Sequence, residues 1–396
     1  MKKTLRSTAM AALCVGTLAL TACGGNASAG PEGGGDSVKI MVFGSMSQAP
    51  FVLPQIETGA QAAVEHVNKA GGINGTKIEL ISCDDQMNAN AATACGRQAV
   101  DEGVAAVVGT FSLFSDNVLE QITAEGIPLI QSEAMNQGEL SQENSFPVLA
   151  AVAPNFAALL GLKERGCTDF VVAAPQSATS EYAFGLVEPV AKTVGVEAKA
   201  VLYPANTTDF TSVAAQLVDK SDCVLLGGGS AESVATLTAL KQTGTKTTNV
   251  ALSTIAFPNS TIDELGDTAD GTLVYSPLFF ESTGKEAVST AVKEIQAIKA
   301  DTVIDEMTMN AYSSVITFAE AAKTIDGDIT GQAVTDALNS DLTIDNGFTA
   351  PFNFGTDTEQ IPNNPRVVGT KFIEYEVKGG DWQPTGKEFD LAGNLG

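Results

Sequence analysis

Apolar positions along this chain recur with two alternating periods, and the alternation starts at residue 38. Residues 38–43 (VKIMVF) are a short, nearly continuous apolar run that reads as a buried strand broken at Gly44. After a loop containing Ser and Pro, Ile56, Ala60, Ala63, Val64 and Val67 fall at helical spacing, with Gln61, Glu65 and Lys69 on the other face. Gly71 and Gly72 end that helix, because glycine takes up the left-handed conformation of a C-cap without a Cβ penalty. Residues 77–82 give a second strand. Strand, helix and strand within about 45 residues make a βαβ unit, which predicts a parallel sheet with right-handed crossovers.

The same alternation continues. Helical patterns at 89–102 and 116–125 are separated by strands at 104–108 and 127–131, and 146–153 is extended. A second round follows, with helices at 159–164, 182–194, 211–218 and 232–241 and strands at 170–174, 199–203, 223–226 and 249–253. The prediction is an α/β chain with two doubly wound parallel-sheet lobes in series. The remaining pieces are strands at 272–277, 352–354 and 367–377, helices at 285–299, 310–323 and 330–339, and the single Trp382. Thr330 is placed to cap the last helix. These pieces most simply complete the two sheets. Residues 38–150 with 278–365 then form lobe one and 151–277 with 366–396 form lobe two.

The first 37 residues carry no such periodicity and read as an address. Residues 1–22 have the form of a secretion signal, with Lys2, Lys3 and Arg6 ahead of a short apolar run. Leu20-Thr21-Ala22-Cys23 matches the bacterial lipobox, in which the Cys23 thiol receives lipid, and 24–37 reads as a flexible tether. Two or more acyl chains on Cys23 would hold the folded body at a membrane surface.

Composition narrows the partners. The net charge is −25, with 47 acidic against 22 basic residues, and loss of the signal makes the chain more negative still. That argues against nucleic acid, whose phosphates need clustered Lys and Arg. Beyond Cys14 in the signal and the lipidated Cys23, the cysteines are Cys83, Cys95, Cys167 and Cys223, which read as two disulfides with three possible connectivities. The flavodoxin-like strand order favours Cys83–Cys95 and Cys167–Cys223, each contributing roughly 3–4 kcal/mol. Without a C-x-x-C pair, no metal site is expected.

Enzyme signatures are missing. His66, on the first helix, is the only histidine, and no G-x-S-x-G elbow or phosphate-loop motif occurs. Neither a catalytic residue nor a cofactor is expected. Open α/β sheets bind ligands at the C-terminal ends of their strands. In lobe one those loops are 44–48, 109–116 and 132–136, which carry Ser45, Phe111, Ser112, Phe114, Ser115 and Ser132. In lobe two they are 176–182, 227–230 and 254–257, which carry Tyr182, the tight turn Gly228-Gly229-Ser230, and Thr254. Hydroxyls, backbone amides and a few aromatics suit a small polar ligand.

The run Asn68-Lys-Ala-Gly-Gly-Ile-Asn-Gly75, then a strand and Cys83-Asp84-Asp85, resembles the leucine–isoleucine–valine-binding type of periplasmic binding protein. Val107-Val-Gly-Thr-Phe-Ser112, Glu125-Gly-Ile-Pro-Leu-Ile130, Glu181-Tyr182, Thr208-Asp209-Phe210 and Tyr312 extend the resemblance over nearly the whole mature chain. It implies a type I periplasmic-binding-protein fold, two lobes joined by a three-stranded hinge, with a small molecule held between them. It also implies a monomer that passes its ligand to the membrane permease of an ABC importer. A ligand-sensing receptor of the same fold is the alternative, and a secreted hydrolase is a remoter one.

By motif position, Ser112, Leu113, Phe114 and Ser115, with Glu133, Ala134 and Asn136, would hold the carboxylate and ammonium of an amino acid. Tyr182 would contact the ligand from lobe two, and Met307 would line the pocket. Two departures bear on the ligand. Gly229 stands where the amino-acid binders have Tyr, and Thr254 stands where they have an acid for the α-ammonium. A buried ammonium without a counter-charge is costly, so the resemblance implies an ordinary aliphatic amino acid only if Glu133 takes over the pairing.

Overall fold

Met41 and Phe43 face one side of the first strand while Ile40 and Val42 face the other, and both sides are buried. This two-faced burial is what a helix layer on each side of a parallel sheet requires. The computed structural model describes residues 37–49, 51–244, 249–252, 254, 257 and 259–395, so the signal, Cys23 and nearly all of the tether lie outside the described residues.

In chain order the first part runs β1 (Val38–Gly44), α1 (Gln55–Lys69), β2 (Ile78–Asp84), α2 (Ala89–Asp101), β3 (Val107–Phe111), α3 (Ser115–Ile122), β4 (Leu129–Ile130), β5 (Glu133–Ala134), α4 (Gln137–Ser141), β6 (Ser145–Phe146) and β7 (Leu149–Ala150). The second part runs α5 (Ala153–Glu164), β8 (Asp169–Pro175), α6 (Ala178–Thr193), β9 (Glu197–Tyr203), α7 (Thr211–Lys220), β10 (Val224–Leu226), α8 (Ser230–Thr243), β11 (Val250–Leu252), α9 (Asn259–Leu265) and β12 (Leu273–Ser276). Then come α10 (Glu286–Ile298), α11 (Glu306–Ala322), α12 (Gly331–Leu338), β13 (Lys371–Lys378) and β14 (Asp381–Asp390).

Two main sheets result. The first has the order β2-β1-β3-β4-β6, all parallel, and α11 packs against both α1 and β3. The second has the order β14-β13-β12-β11-β10-β8-β9, in which β8 to β12 are parallel and repeat the 2-1-3-4-5 pattern. Strands β13 and β14 extend it as an antiparallel hairpin turned at Gly379 and Gly380, both at positive φ. A small sheet of β5 and β7 lies on the first passage from one main sheet to the other. The chain returns to the first layer after β12 and leaves it again before β13.

Several local expectations change: α5 starts at Ala153 rather than 159, β3 is Val107–Phe111 rather than 104–108, β13 is Lys371–Lys378 rather than 367–377, and three further cases have a visible cause. Residues 352–354 form no strand: Phe352 makes an isolated bridge to Ile344, and Phe354 is buried edge-on against Phe146 at 5.2 Å. Helix α11 starts at Glu306 rather than 310, because the Asp305 side chain accepts from Thr308 N at 3.0 Å and caps it. Trp382 belongs to a full strand, β14, whose pattern is broken by Pro384 and Gly386.

The disulfides are Cys83–Cys95 and Cys167–Cys223, with Cα separations of 5.8 and 6.3 Å. Cys167 precedes β8 and Cys223 precedes β10, the adjacent parallel strand. Thr330 caps α12 by accepting from Ala333 N. His66 faces Glu294 at 3.1 Å, a carboxylate that also accepts from the Tyr312 hydroxyl at 2.6 Å.

On the second sheet, Arg165 at the end of α5 donates to Glu374 of β13 at 2.7 Å. The Glu374 side chain is fully buried and also accepts from the Tyr275 hydroxyl at 2.8 Å and the Thr385 hydroxyl at 3.0 Å.

Candidate functional site

The first-lobe loops converge on Asp85, immediately after β2. The buried Asp85 carboxylate accepts from the Ser45 hydroxyl at 3.0 Å, from the Ser112 hydroxyl in a short bond, and from Met87 N at 2.8 Å. Ser112 Oγ also accepts from Phe114 N at 2.9 Å, and Ser115 Oγ donates to the Ser112 carbonyl at 3.1 Å. Asn136 Nδ2 donates to that same carbonyl at 3.1 Å. Asp85 therefore ties the loops after β1, β2 and β3 into one rigid edge. Ser45, Ser112 and Ser115, expected as ligand contacts, already donate within this network. Phe111 is buried edge-on against Phe51 at 5.0 Å, Leu113 is 38% exposed, and Phe114 is half-buried at the start of α3.

Beside this edge lies a group of polar side chains of a different character. Gln131, Ser132 and Glu133 link β4 to β5, and all three are buried. Gln131 has φ +49°, a left-handed conformation that costs a non-glycine residue energy and is commonly kept at functional sites. Its amide donates to Ser313 Oγ at 3.2 Å, and its carbonyl accepts from Asn310 Nδ2 at 2.8 Å. Yet Gln131 Oε1, Ser132 Oγ, Glu133 Oε2 and Asn310 Oδ1 have no hydrogen-bond partner, and neither does Thr110 Oγ1 at the end of β3. Buried polar atoms are normally paired, so an accumulation of unpaired oxygens marks a place where a partner is expected.

Helix α11 supplies the opposite wall. Gly59 and Gly109 let it approach: a Cβ on Gly59 would lie 2.4 Å from the Thr308 carbonyl oxygen, and one on Gly109 would lie 2.7 Å from Ala311 Cα. Its first turn presents the buried Glu306 and Met307. Glu306 Oε1 accepts from Ser276 Oγ at 2.6 Å, which ties the helix to the end of β12 in the second sheet. Asn310 is one helical turn from Glu306 on the same face.

The acids here are perturbed by burial. Burial pushes Glu133 well above the usual carboxylate range, and the charges of Glu306, Glu139 and Asp305 add to that effect. Burial lifts Glu306 to about 8, against the Ser276 hydrogen bond and with the help of Asp305. Glu139 is lifted to about 7 by burial, although Met135 N and Asn136 N donate to it at 3.0 Å.

The second-sheet candidates stand differently. Gly228 has φ +112° and Gly229 precedes α8, whose first residue is Ser230, so this turn is shaped by backbone geometry. Thr254 is buried with its hydroxyl unpartnered. Tyr182 is 57% exposed on α6. Residues 255 and 256 lie outside the described residues. Cavities of about 240 Å³ (among Pro277, Thr349, Gly369 and Lys371) and 350 Å³ (among Phe280, Val292, Met309 and Trp382) are lined by none of the residues expected to hold a ligand.

Reading the sequence missed Asp85 as a hub and missed Thr110, Gln131, Glu306 and Asn310. An Asp directly after a strand, and Asp305 five residues ahead of the helix expected from 310, were the available signals.

The periplasmic binding protein family matches residues 38–372. The chain is 26% identical over 286 residues to the Leu/Ile/Val-binding protein of Escherichia coli (strain K12), covering 67% of this chain and 74% of that protein. Among solved structures it resembles a fatty acid ABC transporter substrate-binding protein from Thermomonospora curvata, with TM-score 0.74 at 17% identity over 91% of this chain and 93% of that one. It also resembles a solute-binding protein of an ABC transporter from R. palustris in complex with 4-hydroxybenzoate, with TM-score 0.71 at 17% identity over 90% and 96%. At these identities the structural likeness speaks to the fold.

Proposed function

The chain belongs to the periplasmic binding protein family, whose members are solute-binding proteins rather than enzymes, and from that premise we propose that it captures a small polar ligand for an ABC importer. The ligand class would be an amino acid, an amide or a related carboxylate. In this reading, residues 38–150 with 278–365 and 151–277 with 366–396 act as two lobes that close by hinge motion. The observation that carries it is the set of unpartnered buried oxygens at Thr110, Gln131, Ser132, Glu133 and Asn310. They lie where strand ends of the first sheet meet a helix bonded to the second. Uptake of labelled solutes by a strain lacking the protein tests the importer role. Loss of uptake of one solute, restored by the gene, is expected; undiminished uptake of every solute bound by the purified protein would contradict it.

The same reading holds the protein at the membrane through Cys23. Cys23→Ala should move it from the membrane fraction to the soluble fraction, as fractionation and immunoblotting would report. Retention of the variant in the membrane would remove the lipid anchor from the proposal.

In the same reading Tyr182, which is exposed on α6, meets the ligand when the two lobes close. Tyr182→Ala should leave the melting temperature of the free protein within the small range of surface changes. It should weaken ligand affinity by about 1–2 kcal/mol in calorimetric titration, as truncated aromatic contacts do. Unaltered affinity would take Tyr182 out of the site.

A further inference from the structure

We propose that the cavity of about 350 Å³ walled by Phe280, Val288, Val292, Ile304, Met309 and Trp382 is a second small-molecule site. Its occupant would be an uncharged, mainly apolar molecule that carries a hydrogen-bond acceptor. This goes beyond the solute-binding reading and does not depend on it, since none of the residues expected to hold the captured solute lines the cavity.

The walls come from separate parts of the chain. Phe280 follows β12, Val288 and Val292 lie on α10, Ile304 precedes α11, Met309 lies within it, and Trp382 is in β14. Aromatic packing fixes one side: the Phe280 ring lies 4.5 Å from that of Trp382 and 5.0 Å from that of Tyr375. Val303, which also lines the cavity, is exposed, so the space is open to solvent there. A cavity of about 150 Å³ already admits benzene, so this one has room for a ring with a polar substituent.

Unpaired polar atoms set the chemistry. Trp382 is 2% exposed, yet its Nε1 has no hydrogen-bond partner, and Ser282 Oγ in the same lining has none either. An indole N–H can only donate, and leaving it buried and unpaired is costly. An acceptor atom brought in by an occupant would remove that cost. Charge excludes an anion: Asp263, Glu281 and Asp381 line the cavity, and no lysine or arginine does among the described residues. A cation is not called for, because Asp263 and Glu281 are exposed to water and Asp381 already accepts from Trp382 N at 2.7 Å. A protonated amine also has no lone pair to offer the indole. What remains is a hydroxyl or carbonyl on an apolar body.

Trp382 is the only tryptophan in the chain, so its fluorescence reports directly on this cavity. The test titrates the purified protein with benzyl alcohol, toluene, benzylamine and benzoate, following Trp382 emission and heat. Benzyl alcohol should change the emission saturably and bind about tenfold more tightly than toluene, the contribution of one hydrogen bond. Benzylamine should bind more weakly than benzyl alcohol, and benzoate should not bind. Trp382→Phe removes the donor and, by calorimetry, should bring benzyl alcohol down to the affinity of toluene. Val292→Phe fills the cavity and should abolish binding of both; if that variant fails to melt cooperatively, Trp382→Phe decides. No saturable response to benzyl alcohol, or binding undiminished in the folded variants, would overturn the site. Toluene, benzylamine or benzoate binding as tightly as benzyl alcohol would overturn the assigned ligand class.

Discussion

Glu306→Gln is expected to stabilise the ligand-free protein at pH 8.5 and to leave its stability nearly unchanged at pH 4. The folded chain holds this carboxyl at about 8 through burial, against an ordinary value of 4.5. Below 4.5 both folded and unfolded states carry the proton, so the substitution changes little. Between 4.5 and about 8 the folded state keeps a proton that the unfolded state has released, so stability falls as pH rises through that window. Each unit is worth at most about 1.4 kcal/mol, and the difference at pH 8.5 should be about 2–4 kcal/mol. Glutamine keeps the shape and can still accept the Ser276 hydroxyl. Denaturant unfolding at the two pH values measures the effect. A variant less stable than the parent at both would mean that Glu306 serves as a structural anion. The gain would accompany weakened binding, as when a site is kept unsatisfied for a ligand.

Glu374 provides the opposite case. Burial pushes this carboxyl up, but the Arg165 guanidinium and the hydroxyls of Tyr275 and Thr385 outweigh burial and hold it below the ordinary range. Arg165→Met removes the charge and leaves a buried carboxylate with hydroxyl donors only, a change that typically costs about 3–5 kcal/mol. Because the folded value is depressed in the parent, the stability it contributes is present above 4.5 and lost as pH falls through the folded value. The deficit of the variant should therefore be largest near pH 7 and shrink toward pH 4. A deficit independent of pH would point to lost packing of the arginine stem.

These two acids also show where the sequence was legible. Strand order, helix faces and both disulfide pairings followed from local patterns: the alternation at 38–43, the stripe from Ile56 to Val67, and the placement of Cys167 and Cys223 beside neighbouring strands. The resemblance to periplasmic binding proteins rested on short motifs and is matched over residues 38–372. What stayed hidden depends on contacts between distant segments. Ser45 and Ser112 looked like free hydroxyls because nothing local shows that Asp85 receives both. Glu306 lay in a stretch without helical apolar spacing, since nearly every face of α11 is buried and the usual stripe is absent. Phe352 and Phe354 read as a strand because two aromatics at alternate positions look the same whether they pair in a sheet or plug a core.

The most direct measurement is a thermal-shift screen of the purified chain against amino acids, amides, ureas, amines and aromatic acids, with calorimetric titration of each hit. A ligand that binds only the folded state stabilises it by mass action, about 2.7 kcal/mol at a hundred times its dissociation constant. The expected result is at least one small solute that raises the melting temperature with concentration and titrates at one molecule per chain. A flat response to every class of solute, from protein that melts cooperatively, would contradict a binding function.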